Sequence, residues 1–122
     1  MQMNFGVELR GDDKIVVDYR INQLLNPDNL PPIELGQQRY LLTPKQEIIA
    51  YLQAGASEGF YINRTGAGRF DRAYYATKQE LLKLIKENID AEEFSGLDLV
   101  VADEDFTWVF VTNHDGDIYT MR

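Results

Sequence analysis

The chain has no cysteine, one histidine (His114), one tryptophan (Trp108) and two serines, Ser57 and Ser95. Without cysteine there is neither a disulfide framework nor a thiolate metal site. A catalytic zinc usually takes three protein ligands, two or three of them histidines where cysteine is absent, and one histidine does not supply them. A serine nucleophile needs a base, normally histidine, oriented by a third group. Both serines stand in glycine-containing stretches with no histidine nearby. Long apolar runs are also missing. "TWVFV" falls far short of the roughly 20 residues of a membrane helix, so no membrane association is expected. "MQMNFGVELR" lacks a basic region followed by an apolar one, so cytoplasmic localisation is the expectation.

Cations are absent from one long stretch. Residues 1–86 carry 10 acidic and 11 basic side chains, whereas residues 87–122 carry 10 acidic ones and only Arg122. The formal charge of −8 therefore belongs to the last third of the chain. Such a field repels nucleic acid and favours a basic partner, or it serves a solvated surface alone. The acidic residues singled out for partner binding are Glu92, Glu93, Asp98, Asp103, Glu104 and Asp105.

What is present reads as one ordinary globular domain, residues 1–122, of 44% hydrophobic and 26% charged residues. "NFGVELR" and "KIVVDYRI" alternate apolar and polar positions around "GDD", which predicts an N-terminal hairpin. "DDKIVVDYRINQLL" fits a helix starting at Asp12 or Asp13 as a second reading. "TPKQEIIAYLQAG" predicts a helix near 44–54, with Thr43 as N-cap, Pro44 in its first turn and Gly55 past its end. "TKQELLKLIKENI" predicts another near 78–89, opened by a Thr77/Glu80 capping box and carrying Leu81, Leu84 and Ile85 on one stripe. "GFYIN" and "DRAYYA" read as short strands joined by a glycine-rich loop, "RTGAGRF". "LDLVVA", "FTWVFVTN" and "DIYTMR" read as a three-stranded meander. The expected fold class is α+β: a largely antiparallel sheet with the two helices on one face and Trp108 mostly buried beneath them.

His114 stands in "TNHDGDIYT", where Asp115-Gly116 suits a two-residue type I′ turn. That turn pairs Phe110 with Met121, Val111 with Thr120, Thr112 with Tyr119 and His114 with Asp117. It collects Phe106, Trp108, Phe110, Tyr119 and Met121 on one face, and Val109, Val111 and Ile118 on the other. Folding accounts for the motif, and an EF-hand loop counted from Asn113 or Asp115 runs past Arg122 before its twelfth position. No metal ligand, no cofactor and no catalytic residue is assigned. Arg64, Arg69 and Arg72 around Gly66 and Gly68 form a candidate anion site, but without the third glycine of a dinucleotide fingerprint or the Gly-Lys-Ser/Thr of a P-loop.

The acidic C-terminal third and the aromatic strand "DFTWVFVTN" entering a terminal hairpin resemble small acidic bacterial α+β proteins, including immunity proteins and the SUKH-like group. The resemblance implies a non-catalytic protein-binding module of the immunity or adaptor kind, and the charge distribution makes residues 87–117 its expected surface toward a basic partner. Two other readings stay open: a small enzyme or ligand carrier with a carboxylate-lined pocket, and an anion or nucleic-acid binder through the Arg64–Arg72 loop.

Overall fold

The computed structural model describes residues 6–26, 40–66, 69–88, 98–112 and 118–121. In chain order the elements are β1 (Val7–Leu9), α1 (Gly11–Leu25), β2 (Tyr40–Leu42), α2 (Lys45–Ala54), β3 (Gly59–Gly66), β4 (Arg69–Thr77), α3 (Lys78–Asn88), β5 (Asp98–Asp103), β6 (Val109–Thr112) and β7 (Ile118–Met121). The strands form one seven-stranded sheet in the order β1-β4-β3-β5-β6-β7-β2, antiparallel at every junction. The protein is an α+β fold built on this sheet. No helix among the described residues is long and apolar enough to cross a membrane.

Both faces of the sheet are covered. One carries α2 and α3, whose Ile48, Leu52, Leu81, Leu84 and Ile85 pack on Phe60, Ile62, Leu99, Val101 and Phe110. The capping box of α3 forms as its sequence dictates: Glu80 N–H donates to Thr77 Oγ1 (3.2 Å), and Thr77 N–H to Glu80 Oε1 (3.0 Å). The start of α2 differs from expectation. Thr43 donates to the Leu41 carbonyl and bonds Thr120 Oγ1 at 2.9 Å, so its hydroxyl ties β2 to β7 and does not cap. Pro44 takes the cap position without a side-chain bond.

The N-terminal hairpin does not form. β1 pairs with β4, and residues 11–25 are helical, packing Val17 and Ile21 on the opposite sheet face against Ala73, Val100, Ala102 and Val109. Val17, Ile21 and Leu24/Leu25 satisfy the 3.6-residue period, which overrides the period-2 alternation; Ile15 and Tyr19 of that alternation end up exposed. Asp12 and Asp13 lie in the first turn, where the helix dipole favours acidic groups. Lys14 donates to Asp18 one turn on (2.6 Å), and Asp18 accepts from Nδ2 of the buried Asn63 on β3 (2.6 Å). A polar clasp thus fixes the register of α1 over the sheet.

The meander β5-β6-β7 forms, but its last register differs by one residue from the type I′ arrangement. Thr112 pairs with Ile118, Val111 with Tyr119 and Phe110 with Thr120. A two-residue turn cannot produce this parity; residues 113–117 make the connection. A one-residue slip sends each side chain of a strand to the other face. Ile118 therefore joins the Phe110 side of the core, while Val109 and Val111 face α1. His114, Asp115, Gly116 and Asp117 themselves lie outside the described residues. The strands of the central hairpin are longer than expected, eight and nine residues, and only 67–68 lie between them.

Candidate functional site

The surface with the most chemistry lies at the junction of α2 with the β5–β6 turn. Asp103, the last residue of β5, organises that turn. Its Oδ1 accepts the N–H groups of Thr107 (2.7 Å) and Trp108 (3.0 Å), and its Oδ2 accepts the Thr107 hydroxyl (2.6 Å). Backbone bonds from Asp103 N–H to the Trp108 carbonyl and from Phe106 N–H to the Asp103 carbonyl close the loop. One carboxylate thus collects three donors, a role invisible in its acidic neighbourhood. Glu104 is exposed and accepts the Tyr75 hydroxyl at 3.3 Å. Asp105 is exposed and has no hydrogen bond or ion pair among the described residues.

The turn delivers two aromatic residues to opposite faces. Phe106 adopts a left-handed backbone, φ 56°, and stacks on Tyr61 on the α1 side (4.9 Å between centroids, 9° between planes). The Arg20 guanidinium carbon lies 4.8 Å from the centre of its ring. Its expected partnership with Trp108 and Phe110 on one face is therefore broken, because the turn leaves the pleat before Phe106. Trp108 goes to the helix side and packs against the core there, mostly buried as expected, with part of its ring still exposed. It leans on Phe110 (5.2 Å) and stacks on Tyr51 of α2 at 4.6 Å.

Two hollows flank this stacked pair and share it. The larger, about 500 Å³, runs from Trp108 and Tyr51 past Ile48 and Glu47 to Leu41 and Leu42 on the edge strand β2. The smaller, about 180 Å³, lies between the end of α2 and the β5–β6 turn, with Asp103 and Asp105 in its wall. Among the described residues lining either hollow none is basic. Tyr51 and Leu42 remain 52% and 65% exposed, which is a large apolar area for a short edge.

No protein-family model matches the chain, and neither a curated protein nor a solved structure matches it. The site must be read from its own residues.

Of the six acidic candidates, the fold brings Asp103, Glu104 and Asp105 together at one turn. Asp98 opens β5, placing its backbone five residues away along the same strand, and Glu92 and Glu93 lie outside the described residues. The arginine group is not a loop: Arg64 sits in β3, Arg69 begins β4, and Arg72 lies directly opposite Arg64 in the ladder. Gly66 ends β3, and residues 67 and 68 of the expected glycine-rich loop lie outside the described residues. Tyr51, Glu47, Leu41 and Leu42 carry no motif. Tyr51 flanks the Ile48/Leu52 stripe of its helix, but its meeting with Trp108 is a product of the tertiary fold.

Tyr75, on the α1 face, has its phenol pushed above the usual tyrosine value, chiefly by burial and then by the charge of Glu104 and the hydrogen bond to it.

Proposed function

We propose that the protein is a non-catalytic protein-binding module of the adaptor or immunity kind, acting in the cytoplasm. Its partner is a basic protein, taken on the surface formed by Trp108, Tyr51, the β2 edge and the acidic β5–β6 turn. The observation that carries this reading is the stacked Trp108–Tyr51 pair, partly exposed between two hollows whose charged lining, among the described residues, is acidic. Aromatic residues dominate interface energetics, while a rim of one charge sign steers the partner and sets the association rate. The charge of −8 acts in the same direction.

The test is capture from the source cell with the tagged protein, followed by kinetics with the purified partner. The Glu104→Lys/Asp105→Lys double variant is the right probe, since Asp103 holds the turn and its loss would distort the surface. The partner should be basic, its association rate should fall as salt rises, and the double variant should slow association by at least about tenfold. An acidic partner, or an association rate indifferent to both salt and charge reversal, refutes the reading.

A further inference from the structure

The smaller hollow has a more specific chemistry than a general acidic surface. Its walls are aromatic: the stacked Tyr51 and Trp108, and the buried Phe60. Its polar lining includes the carboxylates Asp103 and Asp105. The C-terminal turn of α2 also lines it through Leu52 and Gly55. That helix has no basic residue in its last turn, so the partial negative charge of its free carbonyls is not countered from within the helix. Aromatic faces, carboxylates and a helix C-terminus each favour a cation, by quadrupole, charge and dipole respectively. Lys78 Nζ, which donates to the Gly55 carbonyl at 2.7 Å and lies 3.5 Å from Glu58, already meets part of the charge of this helix end, so the rings and carboxylates carry the preference for a further cation. Asp105 has no such partner among the described residues. At about 180 Å³ the hollow has room for a side chain, whereas a single water needs only about 10–15 Å³.

We infer that this hollow is a receptor pocket for the cationic side chain of a lysine or arginine, its alkyl stem against Tyr51, Phe60 and Trp108 and its charged head at Asp105. The inference rests on the proposed binding reading and makes it specific: one basic side chain of the partner is seated between the end of α2 and the β5–β6 turn. Asp103, whose oxygens already accept three donors, contributes charge and holds Trp108 in place; Asp105 supplies the free acceptor.

Because Trp108 is the only tryptophan, its fluorescence and its indole N–H resonance report on the stacked pair that the two hollows share, and Asp105, which lines only the smaller one, tells them apart. The probes are N-acetyl-lysine methylamide, N-acetyl-arginine methylamide and the uncharged N-acetyl-norleucine methylamide, titrated into the intact protein. Both cations should give saturable changes at Trp108 in the millimolar range, with norleucine at least about threefold weaker, the order of a cation–π contact. The lysine and arginine arms rank which head group fits better. Asp105→Asn should weaken the cations by about threefold, the order of an exposed ion pair, and leave norleucine unchanged. Asp105 makes no hydrogen bond or ion pair among the described residues, and Tyr51→Leu serves as a second variant that should weaken all three. Equal binding of norleucine and lysine, indifference to Asp105→Asn, or no saturable change at Trp108 overturns the inference. If the captured basic partner still depends on Glu104 and Asp105 while the amides leave Trp108 unmoved, the pocket falls and the surface reading stands. If the amides bind but no basic partner is captured, the pocket stands and the surface reading falls.

Discussion

Replacing Phe106 by alanine and by glycine should reverse the ordinary stability order of those two residues. In most extended or helical positions glycine is less stable than alanine by roughly 0.5–1 kcal/mol, because it loses more backbone freedom on folding. At Phe106 the backbone sits at φ 56°, in the left-handed region. There a Cβ costs roughly 1–2 kcal/mol that glycine does not incur. Subtracting the entropic penalty leaves glycine ahead by about 0.5–1 kcal/mol. Both variants lose what the ring contributes: the stack on Tyr61, worth about 0.5–1.5 kcal/mol, and the Arg20 contact, worth about 0.5–1 kcal/mol. With its share of apolar burial added, the alanine variant should lie about 2–3 kcal/mol below the parent. Urea unfolding followed by far-ultraviolet circular dichroism measures all three proteins without relying on Trp108, which neighbours the change. Thermal scans should place the glycine variant a few degrees above the alanine one. An alanine variant as stable as the glycine variant, or more so, would show that the left-handed turn at Phe106 is not maintained in solution.

Thr77→Ala should cost about 1 kcal/mol by removing the cap of α3, and adding Glu80→Gln should cost little more, since a glutamine still reaches back to the Thr77 N–H. Thr43→Ala should instead loosen β2 from β7 and leave α2 helicity unchanged; amide exchange that rises in residues 45–48 before 41–42 would contradict this. Tyr75 should ionise at higher pH than the ordinary tyrosine value of 10.0. Its neutral form is favoured in the folded state, so the stability it contributes is whole below pH 10.0 and is lost as pH rises through the folded value. Ultraviolet titration of tyrosinate should lose its late component in Tyr75→Phe and shift it downward in Glu104→Gln; an unchanged curve in both refutes the Tyr75–Glu104 coupling.

Local chemistry was legible where one segment suffices. The capping box at Thr77, the apolar stripe of Leu81, Leu84 and Ile85, the glycine after α2 and the meander all follow from patterns a few residues long, and all reappear in the fold. The acidity of the last third was equally plain, because charge adds without regard to structure. Tertiary packing decided the rest. Residues 11–25 satisfy two periodicities, and only the sheet face formed by Ala73, Val100 and Val109, with Asn63 there to hold Asp18, selects the helix. The Thr112–Ile118 register reverses which faces Ile118 and Tyr119 take, since the parity of a connection is fixed by how the strands pack and not by the favoured turn dipeptide within it. Asp103 looked like one carboxylate among many until the turn gave it three donors. The candidate pocket depends on Tyr51 from a helix and Trp108 from a distant strand edge meeting at 4.6 Å. No short-range pattern encodes such a meeting, because the two side chains are brought together only when both elements cover the same sheet face.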